Sequence, residues 1–237
     1  MANIALLIAG GNGQRMGQDI PKQFLTVNEK PVIVYTLEAF QRHAEIDCIA
    51  VVCVEGWERV LEAYARQFNI SKLNCIVAGG KNGQDSIRNG LFTLEKTFSS
   101  DDIVLIHDAI RPMVSAEIIS DCIVKTQKYG CAIATIPCAE AMLETEDAET
   151  STGTYPRDKL KRTQTPQGFR LGEICQLHRD ALKKGITNSV ASCTLMIEMG
   201  KQVHFSVGSE KNIKLTTVED IDIFKALLVA KRSDWLK

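Results

Sequence analysis

Ala5 to Phe24 reads ALLIAGGNGQRMGQDIPKQF, and this stretch decides the fold class. It opens on an apolar run without polar alternation, the pattern of a parallel strand buried on both faces. Gly10, Gly11 and Gly13 follow at once, and glycine lets backbone N–H groups come close to an anion. Arg15 and Lys22 then supply positive charge, with Pro21 immediately before the lysine. Strand, glycine loop and cations in that order suggest a loop that handles phosphate. A plain glycine turn with two solvated cations is the other reading of this stretch taken alone. Two familiar phosphate loops are excluded. Counting from Gly11 and Gly13, the third glycine of a dinucleotide fingerprint would fall at Met16, and no Walker string occurs.

The rest of the chain bounds what such a loop can serve. Its 237 residues suit one α/β domain, residues 1–237, with a single substantial core. Lys and Arg number 28 against 29 Asp and Glu, so nothing argues for a nucleic-acid partner and any anion site must be local. The chain starts directly in a strand and contains no apolar run of the roughly 18 residues a membrane span needs. A soluble, cytoplasmic protein without a membrane partner is expected. Eight cysteines stand at 48, 53, 75, 122, 131, 138, 175 and 193 with no C-x-x-C pair. Most lie in apolar runs such as CIAVVCV, which points to buried thiols rather than a metal cluster.

Asn3–Ile8, Asp47–Val54, Asn74–Val77, Asp102–Ile106 and Cys131–Ile136 read as strands separated by helical patterns, which predicts a mainly parallel sheet. Ile33, Leu37 and Phe40 share one helical face, and Trp57, Val60, Leu61, Tyr64 and Phe68 share another; these aromatics read as core. Further helices are expected over Asp85–Leu94, Ser115–Lys128, Leu171–Lys184, Ser189–Met199 and Val218–Lys231, with a strand over Gln202–Val207. His43 and His178 fall on polar helical faces. The segment 139–162 breaks the rhythm: acidic residues, Ser, Thr, Gly153 and Pro156 replace apolar periodicity. It reads as a surface loop or as an arm that packs on a partner subunit.

Two more clusters carry chemistry. AGGKNGQDSI places a second glycine pair just ahead of Ser86, where the loop could face the same ligand as the first, or where Asp85 or Ser86 could simply cap a helix. IVLIHDAIRP ends a strand at His107 and Asp108 and adds Arg111 and Pro112. Asp108 is placed to hold Mg²⁺ beside a triphosphate, and Arg111 to grip a phosphate bidentately; a capping Asp in a surface pair with Arg is the alternative. Lys214, in SEKNIKLTTVEDI, precedes a helix that Thr216 or Thr217 can cap, and could return to the same rim of the sheet.

AGGNGQRMG with PKQF, GG with Ser86, HDAIRP, TQTPQGF and NIKLTTVED occur in this order over nearly the whole chain. In this it resembles the 2-C-methyl-D-erythritol 4-phosphate and ribitol 5-phosphate cytidylyltransferases. The resemblance implies a Rossmann-like three-layer α/β sandwich with a mainly parallel sheet, the nucleotidyltransferase fold. It also implies Mg²⁺, CTP and a polyol phosphate as substrates, and a homodimer joined by the arm 139–162. By position, Arg15, Lys22 and Lys214 resemble the cations that stabilise the triphosphate, and Asp108 the metal ligand. Ala9, Gly10, Gly11, Gly13, Gly80 and Ser86 resemble the nucleotide-binding surface. Arg111 and Arg157 resemble the acceptor-phosphate contacts, the latter reaching the neighbouring subunit's site. The chain departs from the family at Gly83, where an arginine is usual, and at Glu140–Ala141, where Asp-Thr is usual. It also reads TNSVASC where Thr-Asp is common. A divergent nucleotide-binding paralogue with weak catalysis and an enzyme for a different phosphorylated acceptor are the alternatives these departures raise.

Overall fold

The computed structural model describes residues 1–11 and 20–230. The apolar opening run becomes β1 (Asn3–Ala9), which pairs in parallel with β4 (Cys48–Cys53) on one side and β6 (Ile103–Asp108) on the other. Between them lie a small antiparallel pair, β2 (Thr26–Val27) and β3 (Lys30–Pro31), then α1 (Val32–Arg42), α2 (Glu58–Gln67), β5 (Leu73–Ala78) and α3 (Gly83–Leu94). After β6 come α4 (Ala116–Tyr129), β7 (Cys131–Pro137), β8 (Met142–Glu144), β9 (Gly153–Tyr155), β10 (Lys161–Arg170), α5 (Leu171–Lys183), α6 (Ser192–Glu198), β11 (Phe205–Val207) and α7 (Val218–Ala230). The central sheet has seven strands in the order β11-β7-β10-β6-β1-β4-β5.

Every residue of β1 is apolar after Asn3, yet its two faces enter different cores. Ala5, Leu7 and Ala9 pack with Ile33, Leu37 and Phe40 of α1, Leu61 of α2 and Ile119 of α4. Ile4 and Leu6 pack on the opposite side with Leu91 of α3, Ile174 and Leu177 of α5 and Leu195 of α6. The result is a three-layer sandwich, and it explains why a strand buried on both sides shows no polar alternation. α3 lies close on the sheet: a Cβ on Gly90 would stand 2.7 Å from Leu6 Cδ1 and 2.8 Å from Val52 Cγ2. As expected, Trp57 packs in the protein, its ring stacked on Phe24 with centroids 4.6 Å apart.

Several expectations need correction. β10, which the apolar pattern does not announce, runs antiparallel between β6 and β7 in the middle of the sheet. Its sequence KRTQTPQGFR is polar because Lys161, Arg162 and Thr163 are exposed, while Gln164, Thr165 and Gln167, where the register against β7 shifts, hydrogen-bond other segments. α6 and β11 are shorter than predicted, at seven and three residues. His43 and His178 are buried, not on polar faces: His43 Nε2 lies 3.0 Å from Ser120 Oγ, and His178 faces Arg88 across α3 and α5. α3 is capped by Asn82, whose Oδ1 accepts from Asp85 N at 2.9 Å, and not by Asp85 or Ser86. The cysteines are all free; seven are buried and Cys75 is half-buried, with burial raising the thiols of Cys53, Cys122 and Cys175 to about 12. Within 139–162 the chain forms the exposed hairpin β8–β9 and a short turn at Arg157–Lys159 before its last two residues enter β10.

Candidate active site

From β1 the chain proceeds to β4 and β5 on one side, then returns through α3 to β6 on the other. Such a reversal leaves a crevice outside the carboxyl ends of the two central strands, where open α/β sheets bind ligands. Here that crevice is a cavity of about 1060 Å³. Ala9, Gly10, Gly11, Lys22, Gly80, Ser86, Asp108, Arg111 and Lys214 all line it. Segments as far apart in sequence as Ala9 and Lys214 therefore share one space. Gly13 and Arg15 lie outside the described residues. Arg157 does not line the cavity; it sits in the exposed arm, where its Nη1 donates to Ala139 O at 2.7 Å. Glu140 and Ala141 are likewise exposed at the root of that arm.

One wall is built from backbone and a single hydroxyl. Gly80 N–H donates to Ser86 Oγ at 2.9 Å, and Ser86 is only 4% exposed. A Cβ on Gly80 would stand 2.4 Å from Asp85 Cβ, so only glycine allows the loop to lie this close to the first turn of α3. Gly10 meets the same hydroxyl from β1, since its own Cβ would be 3.2 Å from Ser86 Oγ. Gln23, missed in the sequence, pins the first loop: its buried Nε2 donates to Ala9 O at 2.7 Å and Gly11 O at 3.1 Å. The stacking of Phe24 on Trp57 fastens the short turn Lys22–Phe24 and so sets where Lys22 enters the cavity.

Across the crevice Asp108 ends β6 between two cations. Its Oδ2 accepts from Arg111 Nε at 3.0 Å and its Oδ1 lies 3.1 Å from Lys214 Nζ. Burial by itself would raise the carboxyl's pKa, but Lys214 and Arg111 outweigh it and hold Asp108 below the ordinary carboxylate value. Lys214 is brought there by backbone: Leu215 N–H donates to Ile110 O at 3.0 Å, and Arg111 Nη1 donates to Asn212 O at 2.7 Å. Asn212 is in turn held by β10, its Nδ2 donating to Thr165 O at 2.8 Å.

His107, fully buried behind Asp108, is neutral because burial depresses its pKa to about 4. Thr165 Oγ1 accepts from Asp108 N–H at 3.0 Å and lies 3.0 Å from His107 Nδ1. Because Arg111 O can only accept, the neutral ring carries its proton on Nε2 and donates it there at 3.3 Å, which leaves Nδ1 to accept from the Thr165 hydroxyl. One buried imidazole thus ties β6, β10 and the loop carrying Arg111. Thr165, Gln164, Gln167 and Asn212 gave no chemical signal of their own in the sequence, although the ordered TQTPQGF and NIK motifs contain them.

Asp108 and Glu55 are the carboxylates that line this cavity, Asp108 being the one set between Arg111 and Lys214, and among the described residues no group of three or more His, Cys, Asp or Glu could hold a metal unaided. One ionised, one-fifth exposed carboxylate facing a wide cavity is the donor set that suits Mg²⁺ when substrate phosphates complete its shell. A metal held by protein alone does not suit it.

Residues 3–230 match the family model described as 2-C-methyl-D-erythritol 4-phosphate cytidylyltransferase. The chain is 42% identical to ribitol-5-phosphate cytidylyltransferase of Lacticaseibacillus paracasei, covering 96% of this chain and 98% of that one. It is 38% identical to 2-C-methyl-D-erythritol 4-phosphate cytidylyltransferase of Clostridium botulinum, covering 95% and 97%. The solved structure of the Francisella tularensis 2-C-methyl-D-erythritol 4-phosphate cytidylyltransferase superposes with a TM-score of 0.81 at 26% identity, over 95% of this chain and 99% of that one. With its ordered motifs converging on one crevice, the chain belongs to the 2-C-methyl-D-erythritol 4-phosphate cytidylyltransferase family.

Proposed function

We propose that this protein transfers CMP from CTP to a polyol phosphate, with D-ribitol 5-phosphate as the acceptor, releasing pyrophosphate and a CDP-polyol. The observation that carries the reading is Asp108, bracketed by Arg111 and Lys214 and facing the two glycine loops across one cavity. The choice of acceptor follows the relatives: 42%, 40% and 37% identity to proteins named ribitol-5-phosphate cytidylyltransferase, against 37% and 38% for those named for methylerythritol phosphate.

Both reactants are anions, so the protein must cancel their repulsion and align them; no side-chain nucleophile is needed. The acceptor's phosphate oxygen attacks the α-phosphorus of CTP in line, and the bond to pyrophosphate breaks as the new P–O bond forms. Ala9, Gly10, Gly80 and Ser86 form the surface for the base, where backbone and one hydroxyl can read cytosine's polar edge. Lys22, with Arg15, neutralises the triphosphate. Lys214 stabilises charge on the reacting phosphorus, and Arg111 meets the acceptor phosphate. Mg²⁺, held by Asp108 together with the phosphates, supplies charge neutralisation when bound. In a homodimer, Arg157 on the extended arm would reach the acceptor bound to the other subunit.

The test is pyrophosphate release with Mg²⁺, CTP and a panel holding D-ribitol 5-phosphate, 2-C-methyl-D-erythritol 4-phosphate and other sugar phosphates. The expected result is the highest kcat/KM for ribitol phosphate with CTP, and no turnover with UTP or ATP at equal concentration. A higher kcat/KM for methylerythritol phosphate would overturn the acceptor assignment, and no release with any acceptor would overturn the activity.

A further inference from the structure

The start of α6 brings a side chain into the cavity that none of the ordered motifs contains. Ser192 lines the cavity, is 3% exposed, and its hydroxyl has no hydrogen-bond partner among the described residues. Its position is well determined. Gln167 of β10 holds the next residue, its Oε1 accepting from Cys193 N–H at 3.0 Å. Gln84 of α3 holds the preceding loop from both ends, accepting from Ser189 N–H at 2.7 Å and donating to Ile186 O at 2.9 Å. Gln167 pairs in register with Ile106, two residues before Asp108. Ser192 therefore stands between β10 and the first turn of α3, beside the strand pair β10–β6 whose β6 ends at Asp108.

Three polar side chains of β10 that line the cavity are used within the protein. Gln164 bonds Ser209 and Asn212, Thr165 bonds His107 and Asp108, and Gln167 bonds Cys193 and Gln164 O. A buried hydroxyl left unpaired is costly, and on a residue that lines a substrate cavity it regains a bond by turning toward a ligand group. We infer that Ser192 is a specificity-determining residue whose hydroxyl bonds a hydroxyl of the acceptor's polyol chain. The inference rests on the cytidylyltransferase reading and adds the acceptor contact that backbone and glycine loops cannot supply.

The experiment compares parental protein, Ser192→Ala and Ser192→Thr with CTP and D-ribitol 5-phosphate, then with ribitol 5-phosphate analogues each lacking one hydroxyl. Ser192→Ala should raise the KM for ribitol phosphate about three- to tenfold, the loss of one ordinary hydrogen bond, and leave the KM for CTP within about twofold. Ser192→Thr, which keeps the hydroxyl, should recover most of the loss. With one of the deoxy analogues the parent and Ser192→Ala should become equal. The melting temperature of unliganded Ser192→Ala should not fall, because the deleted group bonds nothing in the free protein. An unchanged acceptor KM, a rise that persists equally with every deoxy analogue, or an equal rise for CTP would overturn the role of Ser192. A parental protein inactive with every polyol phosphate would instead overturn the activity on which this inference rests.

Discussion

At the residue scale, Asp108 works as a charge and not as a shape. Asp108→Asn keeps the side chain's size but leaves Arg111 and Lys214 facing each other without the carboxylate that separates them. The expected outcome is a loss of turnover of about a hundredfold or more, partly recovered by raising Mg²⁺; an unchanged metal titration would reduce Asp108 to a structural pair. Lys22→Ala and Arg15→Ala should lose activity to a similar degree while unfolding at nearly the parental temperature, since glycine-loop cations need make no core contact. The buried histidines respond to acid. His107 and His178 both have pKa values lowered from 6.5 to about 4 by burial, with Arg88 adding to the effect at His178. The unfolded chain therefore takes up their protons first as pH falls. Each contributes stability that is fully present above about pH 6.5 and lost between there and pH 4, by up to about 1.4 kcal/mol per pH unit. His178→Leu removes one such group together with two unpaired ring nitrogens, so urea unfolding at pH 7 and pH 5 should differ less than in the parent. Identical differences would show that His178 does not titrate between folded and unfolded states.

At the element scale, α3 does two separable things, and two glycines report on them. Its body packs on the sheet at Gly90, against Leu6 and Val52, whereas its first turn meets the loop at Gly80. Gly90→Ala should overfill the core and cost about 1–3 kcal/mol of stability, with the KM for CTP little changed in the protein that remains folded. Gly80→Ala pushes on Asp85 and Ser86, so it should raise the KM for CTP by more than its loss of stability explains. Thermal melts and steady-state kinetics on the two purified variants check this. Equal effects on both quantities in both variants would mean that the loop and the helix body are not independent. β10 is the element that pattern alone could not place. Lys161, Arg162 and Thr163 face solvent, whereas Gln164, Thr165 and Gln167 bond other parts of the site, so alternation, the usual evidence for a strand, is lost.

At the scale of the whole molecule, the arm has little reason to exist in a single chain. Met142, Leu143 and Tyr155 are exposed on the β8–β9 hairpin, and Arg157 lies beyond the cavity of its own chain. If the arm completes a partner's site, Arg157→Ala should raise the KM for the polyol phosphate while CTP binding stays near the parental value. Mixing an Arg157→Ala chain with a Lys22→Ala chain, at an acceptor concentration too low for either to turn over alone, then gives heterodimers with one doubly defective site and one intact site. Recovery of up to half the parental activity per dimer is expected. No recovery in verified heterodimers would mean that each chain builds its own acceptor site.

The fold class follows from local physics. An unbroken apolar strand followed by glycines, and strands alternating with helical periodicities, can only bury their surfaces as a parallel sheet covered on both faces. The apolar character of the cysteines and of Trp57 was legible for the same reason, because burial leaves its mark on neighbouring residues. Ala9, Lys22, Ser86, Asp108 and Lys214 could each be named from their motifs, yet every one also had a plain local reading as a turn, cap or solvated charge. Only the tertiary structure showed that they share one cavity, since the reversal of strand order brings together loops more than 200 residues apart. Ser192, Gln23 and Asn212 became visible only there. Their meaning lies in which distant group they meet or fail to meet, and no spacing along the chain encodes that. The neutral His107 is of the same kind: its proton is placed by Thr165 and Arg111, one from the far side of the arm and one from the next turn of chain.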